Sequence, residues 1–319
     1  MNRVLVTGAS GFIGRALVPA LVAAGHDVRA AVRRSPAPFA PPVQAATHGD
    51  LGADVDWRPL MAGVDFVVHL AGIAHTGPGV AEARYDQVNH QATAALAKAA
   101  REARVKRVVF VSTIRAQTGP RSDDVLTETA TPQPTDPYGR SKLAAEIALA
   151  RSGADFTLLR PVLVYGPGVK GNLRSLVRLV ALPVPLPFGA FTNLRSVLSV
   201  DNLIAAITHV LHHAASSGET YVVADPQPMS LAGIVSALQA GRGKTPSLLA
   251  VPPGLVRLGL AVIGRSRTWD QLEGSLVVNP EKLIAAGWRP DLDTPAGLAV
   301  MARQSREVAP RHKAKLSSA

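Results

Sequence analysis

Two side chains four residues apart, Tyr138 and Lys142, set the chemical possibilities of this sequence. On a helix, positions i and i+4 share one face, so an ammonium can sit beside a phenol. A free tyrosine titrates near 10, and bringing it to about 7 takes about 4 kcal/mol at roughly 1.36 kcal/mol per unit. An ammonium about 4 Å away at an effective dielectric near 20 supplies about that much as an upper figure. A phenol tuned in this way passes a proton to or from a substrate oxygen near neutral pH. Upstream, Ser112-Thr113 closes an apolar run. Successive strand side chains alternate in direction, so one of the two hydroxyls faces the same edge as Tyr138 and can hydrogen-bond the reacting oxygen. Alone, a Tyr-x-x-x-Lys spacing usually belongs to an ordinary helix and a Ser-Thr pair to a strand end. Their meaning depends on the elements around them.

The first of those elements is the opening stretch, Arg3 to Gly14, in which a short apolar run meets Gly8, Gly11 and Gly14 and then a helical pattern. It reads as strand, phosphate-binding turn and helix. Gly8 suits a tight turn, Gly11 lets a pyrophosphate approach the backbone, and Gly14 lets the helix pack on the strand, while free N–H groups at the helix start face an anion. The spacing Gly-x-x-Gly-x-x-Gly differs from the commoner Gly-x-Gly-x-x-Gly, so a glycine-rich βα turn without a dinucleotide is the competing reading.

Strand and helix patterns then alternate: a helix Ala16 to Ala24 capped by Gly25, a strand His26 to Arg33, and a four-proline loop Ser35 to Pro42 leading toward Gly49-Asp50-Leu51. There follow a buried strand Val64 to Gly72, a long helix from about Tyr85 to Arg104, a strand Arg107 to Thr113, a helix from Tyr138 to Arg151, and a strand Phe156 to Leu159. This alternation to about residue 165 predicts an α/β fold with a doubly wound parallel sheet. The pattern breaks over Val169 to Ser199, which reads as an irregular insertion around Leu182-Pro183-Val184-Pro185-Leu186-Pro187. Asp201 to His213 and Leu231 to Ala240 read as helices and Thr220 to Ala224 as a strand. The expected organisation is a main domain of residues 1–165 and 200–227, and a smaller, discontinuous α+β substrate lobe of 166–199 and 228–302, with a return to the main domain near 280 left open. A basic tail is expected over 303–319.

With 319 residues the chain can bury a sizeable core, and its net charge of +11 favours acidic partners such as nucleotides, nucleotide sugars or anionic surfaces. Nucleic acid is not expected, because aromatics are only 4% and no basic and aromatic stripe is present. The lack of cysteine removes disulfides and thiolate metal sites and suits a reducing cytoplasm. His209, His212 and His213 have metal-like helical spacing without a carboxylate or cysteine to complete a site, and read as a solvated helix end. No uncharged stretch approaches the roughly 20 residues needed to span a bilayer. Pro252 to Arg267 mixes leucines with Arg257, Arg265 and Arg267. It reads as a lobe helix with an arginine edge rather than a membrane-surface helix.

Taken together, Thr7 to Gly14, His69-Leu70-Ala71-Gly72, Val111-Ser112-Thr113, Tyr138 to Lys142 and Arg160 to Gly168 resemble an extended short-chain dehydrogenase/reductase, in order over nearly the whole chain. Within that superfamily the chain is similar to the NAD-dependent epimerase/dehydratase group acting on nucleotide sugars. The stretch Gly166 to Asn172 with Arg195 to Leu203 resembles the bacterial branch of UDP-hexosamine 4-epimerases and 4-keto reductases. The resemblance implies a Rossmann sheet, with Tyr138 as acid/base, Lys142 as its partner and ribose ligand, and Thr113 as the hydrogen bonder to the sugar oxygen. It implies cofactor contacts from Gly8, Ser10, Gly11, Phe12, Ile13, Gly14, Asp50, Leu51, Leu70, Ala71, Pro161, Val162 and Leu163. Asn89 would stand near the substrate, and Asn172 and Arg195 would hold the UDP pyrophosphate.

One departure bears on the cofactor. Where many such epimerases carry an Asp at the end of the second strand, this chain has Arg33-Arg34. A carboxylate favours NAD, whereas an arginine accommodates the 2′-phosphate of NADP. The sequence therefore favours NADP(H) over NAD(H), and a 4-keto reductase of a UDP-hexose or UDP-N-acetylhexosamine over a 4-epimerase with retained NAD. A non-catalytic NADP-sensing regulator is opposed by the intact Thr113, Tyr138 and Lys142. A reductase of lipid or phenolic carbonyls is opposed by Asn172 and Arg195, which suit a diphosphate. Alanine-rich helices Gln91 to Ala103 and Leu143 to Ala150 suit the four-helix homodimer contact common in the superfamily. Gly72, where alanine is usual, has no interpretation from sequence.

Overall fold

The computed structural model describes residues 1–34, 39–74, 79–262 and 274–307. Seven strands form one parallel sheet: β1 (Arg3–Thr7), β2 (Asp27–Val32), β3 (Gln44–Thr47), β4 (Phe66–His69), β5 (Arg107–Val111), β6 (Phe156–Pro161) and β10 (Glu219–Val223). Their order across the sheet is β10-β6-β5-β4-β1-β2-β3. The chain winds outward from β1 to β3, then crosses back to β4 and runs the other way. The reversal falls between β1 and β4, where Thr7 is in register with His69, so a ligand crevice is expected outside the carboxyl ends of these two strands.

Alternation along β1 divides the core into two layers. Val4 and Val6 pack with Leu17 and Leu21 of α1 (Phe12–Ala23) and with Leu203, Ile207 and Val210 of α7 (Val200–His212). Leu5 faces the other way, into a layer with Val67, Phe110, Leu96 of α4 (Ala92–Glu102), and Ala145 and Leu149 of α5 (Pro137–Arg151). Leu283 and Trp288 join the first layer, so the chain does return to the main sheet near residue 280.

A third core lies outside the sheet. It gathers Leu173, Val177 and Val180 of α6 (Gly171–Val180), Ile234, Val235 and Leu238 of α8 (Leu231–Gly241), Phe188, Phe191, and Leu298 and Met301 of the last helix, Thr294–Glu307. Two small sheets belong to this region. In one, β7 (Leu163–Tyr165) pairs with β9 (Val197–Ser199); in the other, β8 (Leu194–Arg195) pairs with β11 (Met229–Ser230). The surroundings of this third core are called the lobe below. Helix α9 (Pro253–Val262) lies on it through Val256. Among the described residues no helix is long and apolar enough to cross a membrane.

Several elements differ from the sequence reading. The insertion after Val169 contains a full helix, α6, because Leu173, Val177 and Val180 recur at helical spacing between its terminal glycines and prolines. The edge strand β3 was not anticipated; all four of its residues are at least partly exposed, so it carries no apolar signature. The long helix is three pieces, α3 (Glu82–Tyr85), a π-helical turn over Asp86–Gln91, and α4. The first helix begins at Phe12 and α5 at Pro137, each earlier than predicted, and the last helix runs through Glu307, into what was expected to be tail. Ser35 to Pro38 of the proline loop, Arg265 and Arg267, and residues 308–319 lie outside the described residues.

Candidate active site

At the crevice, the first turn is shaped by what a side chain would strike. Gly8 sits at φ +67°, and a Cβ there would lie 2.8 Å from the Ala71 backbone nitrogen; one at Gly14 would lie 2.5 Å from the Gly8 carbonyl oxygen. The turn, the start of α1 and the end of β4 therefore close to backbone contact. Thr7 Oγ1 accepts from the Ala71 N–H at 3.2 Å, fixing Leu70-Ala71 beside the turn. Ser10 and Gly11 are exposed, and the helix start has no side-chain cap, which leaves its N–H groups open to an anion as the glycine spacing predicts. Phe12 and Ile13 are half-buried behind them.

On the far side, Arg33 and Arg34 emerge exposed from the end of β2. Asp50 is exposed and paired with Arg84 at 2.7 Å, and Leu51 is buried beneath it. The Gly52 N–H first and the Arg84 guanidinium second hold the Asp50 carboxyl below its usual range, and Arg33 is a further positive neighbour acting the same way. Arg33 thus stands on the Asp50 side of the crevice.

The catalytic side chains are brought together by β5 and α5. Asp136 caps α5 by accepting from the Gly139 N–H at 2.7 Å, Pro137 takes the first helical position, and Asp136 also pairs with Arg115. Gly139 passes so near the turn after β5 that a Cβ would lie 2.2 Å from the Arg115 carbonyl oxygen. This seats Tyr138 against Thr113, whose hydroxyl hydrogen-bonds the phenol. Ser112 turns the opposite way and donates to Glu146, so the alternation expected at this strand end is present.

Lys142 departs from expectation. Its buried ammonium donates to the Val111 carbonyl at 2.9 Å and lies 4.1 Å over the Phe110 ring. Burial pushes Tyr138 up to about 12, opposed first by the Thr113 hydrogen bond. Burial in turn draws Lys142 down to about 7, opposed by Glu146. Desolvation exceeds the charge pairing on which the sequence estimate relied. The expected geometry of two groups on one face holds, but the phenol of the free protein is protonated.

Beneath Lys142 lies a polar network that the sequence reading did not include. Glu146 pairs with Arg160 at 2.6 Å, both buried, and Arg160 also donates to Gln117, whose amide holds the Thr127 and Ala130 carbonyls. Glu146 follows Lys142 by four residues, a spacing that could have signalled it.

Asn89 is held by protein contacts. It lies in the π-helical turn, buried, and its amide is spent on protein: Oδ1 accepts from Ile73 N–H at 2.8 Å, and Nδ2 donates to the Ile73 carbonyl and to Ser141 Oγ at 3.1 and 3.0 Å. It ties the strand end to the helix that carries Tyr138. The same contact explains Gly72, where a Cβ would lie 2.7 Å from Asn89 Oδ1. Fully buried His69 extends the tie, with Nδ1 against Thr7 Oγ1 at 2.6 Å and Nε2 against Thr93 Oγ1 at 3.0 Å, and burial drives it down to about 3.

From β6 the chain passes to the lobe. Pro161 and Val162 are buried at the end of the main sheet, and Leu163, largely exposed, begins β7. Asn172 is exposed in the first turn of α6. Arg195 is half-buried on β8, where burial lowers its pKa, and its guanidinium reaches toward the Pro120 carbonyl of the main domain at 3.5 Å. The three triad residues therefore converge, while the two pyrophosphate candidates stand on separate elements of one lobe.

These elements fit a dinucleotide: an open helix start, a turn without room for side chains, and a Lys142 ammonium held at the Val111 carbonyl near the strand end. Residues 4–224 match the NAD dependent epimerase/dehydratase family. The chain is 34% identical over 299 residues to a UDP-glucose 4-epimerase from Vibrio cholerae, covering 90% of each chain. It is 27% identical over 265 residues to the N-acetyl-alpha-D-glucosaminyl-diphospho-ditrans,octacis-undecaprenol 4-epimerase of Escherichia coli O157:H7, covering 81% of this chain and 78% of that one. Among solved structures, MoeE5 in complex with UDP-glucuronic acid and NAD superposes with a TM-score of 0.73 at 27% identity, over 96% of this chain and 99% of the other.

Proposed function

The chain is an enzyme of the NAD dependent epimerase/dehydratase family, and from that premise we propose that it is a 4-epimerase of a UDP-linked hexose or N-acetylhexosamine that keeps its NAD between turnovers. The observation that carries this reading is the hydrogen bond of Thr113 to Tyr138 with Lys142 one helical turn on, held at the end of β5, in a chain 34% identical to a UDP-glucose 4-epimerase over 90% of its length.

Bound NAD supplies the electron acceptor that makes C4 of the sugar reversibly oxidisable. Tyr138 Oη takes the proton of the C4 hydroxyl and later returns it, and the Thr113 hydroxyl fixes the orientation of that oxygen. Lowering the phenol from about 12 to about 7 takes roughly 7 kcal/mol at about 1.36 kcal/mol per unit. The Lys142 ammonium contributes by leaving its rest on Val111, and positive charge brought in with the oxidised cofactor lowers the phenol further. Arg195 and Asn172 hold the diphosphate, and Asn89 keeps α5 in place.

A 4-keto reductase using NADPH is the second reading, favoured by the exposed Arg33 and Arg34 at the end of β2. One experiment separates the two. Purified protein is denatured and the released nucleotide identified, and intact protein is incubated with UDP-glucose, UDP-N-acetylglucosamine and UDP-glucuronic acid without added cofactor, with products resolved by NMR. Bound NAD and a 4-epimer support the epimerase. Empty protein that consumes NADPH with a 4-keto sugar supports the reductase.

A further inference from the structure

Residues 166–199 and 228–262 contain seven Lys or Arg and not one Asp or Glu. Elsewhere the chain mixes both signs. The same segments hold most of the large hydrophobic side chains left exposed among the described residues: Leu182, Val184, Leu194, Leu249, Leu255, Leu258 and Val262. Helix α9 concentrates them. Leu255, Leu258 and Val262 follow the i, i+3, i+7 spacing of one helix face and are 59%, 61% and 80% exposed, while Val256 anchors the helix to the lobe core. Arg257 is exposed on the same helix.

The neighbouring strip continues this surface. Leu186 accepts from the Leu249 N–H at 2.9 Å and donates its own N–H to Ser247 at 3.1 Å, so exposed Leu182 and Val184 run beside exposed Leu249 just before α9 begins. Lys244 lies at the same place, its ammonium donating to the last carbonyls of α6 and to Leu182 at 2.8 Å.

We propose that this face of the lobe docks on a membrane surface rich in anionic headgroups, with α9 lying in the plane of the headgroup boundary. Apolar side chains enter the acyl edge while the surrounding cations meet lipid phosphates, the arrangement of an interfacial helix. A second copy of the chain is a poorer occupant, since a twofold contact would set segments that carry cations and no carboxylate, Lys244 and Arg257 among them, against themselves. Single-stranded nucleic acid would need exposed aromatics to stack on, and the lobe phenylalanines, Phe188 and Phe191, are buried.

The test uses the full-length protein and vesicles of phosphatidylcholine alone or mixed with phosphatidylglycerol, read by co-flotation at low and high salt. Binding is expected only to the anionic vesicles, with loss at high salt. The double variant Leu255→Asn, Leu258→Asn should partition roughly tenfold or more weakly. Arg257→Glu should weaken it by a smaller factor. Turnover of a soluble UDP-sugar should be unchanged in both variants, so failure of docking and failure of the proposed activity are read separately. No binding to anionic vesicles overturns the proposal, as does undiminished binding by the double variant. A salt-insensitive self-association that the double variant abolishes assigns the face to a second copy and overturns it too.

Discussion

The main domain and the lobe handle polar groups in opposite ways. Around the candidate site the main domain pairs its buried polar groups with one another: Glu146 with Arg160, His69 with Thr7 and Thr93, Asn89 with Ile73 and Ser141. In the lobe the two segments before residue 263 carry cations without a single carboxylate. Paired groups fix geometry at the cost of desolvation, whereas a stretch of one charge sign attracts a partner of the other. The division follows the chemistry, because a proton-transferring phenol needs a rigid seat while a diphosphate needs open charge.

Substitutions sharpen or break that contrast. The largest effect is expected from Tyr138→Phe, which should cut epimerisation by roughly 10²- to 10⁴-fold while the nucleotide retained through purification stays the same. Near-normal turnover would remove the phenol from the reaction. Arg160→Met should come next, costing about 3 to 5 kcal/mol in urea unfolding because it strands Glu146 in the core, whereas Arg242→Met in the lobe should stay within about 0.5 kcal/mol. Equal losses at the two sites would erase the distinction between them. Arg195→Ala should raise KM for a UDP-sugar by roughly tenfold to a hundredfold, the worth of a charge-assisted contact, with NAD retention unaltered. If UDP binds the variant as tightly as the parent, the diphosphate sits elsewhere.

The smallest effect is a slope. His69 titrates near 3 in the folded protein and near 6.5 when unfolded, so between those values the unfolded chain binds the extra proton. Stability should therefore fall as pH drops from about 6.5, by up to about 1.4 kcal/mol per pH unit. The variant His69→Gln should flatten that slope, which urea midpoints at pH 7 and pH 5 would measure.

What the sequence made legible is what repeats or alternates. Val4, Val6, Val67 and Val109 lie in runs that only a buried parallel strand explains, and the glycines at 8, 11 and 14 mark the turn by spacing alone. That one hydroxyl of Ser112-Thr113 would face Tyr138 was legible from strand alternation, and the family resemblance pointed to Thr113, which hydrogen-bonds the phenol. The resting place of Lys142 was not, because whether an ammonium finds a carbonyl, a ring or a phenol depends on packing across three elements. Asn89 was placed near the site by resemblance, but its hydrogen bonds depend on Ile73 and Ser141, which no local pattern joins to it. Helix α6 was hidden by the prolines that follow it, although its own leucines and valines keep helical time.

The π-helical turn over Asp86–Gln91 also constrains how this chain can change in length. A π turn holds one residue more than the α-helix around it needs. Each residue of an α-helix advances the face by about 100°. Deleting one residue of the turn would let α3 and α4 fuse into a continuous helix with their buried faces, Tyr85 included, kept in phase, because the residue removed is the one the α-helix does not need. Asn89 would lose its hold on Ile73 and Ser141 at the same stroke. A copy shortened by one residue in this turn is expected to keep its fold and to lose the tie that Asn89 makes between the strand end and the helix carrying Tyr138.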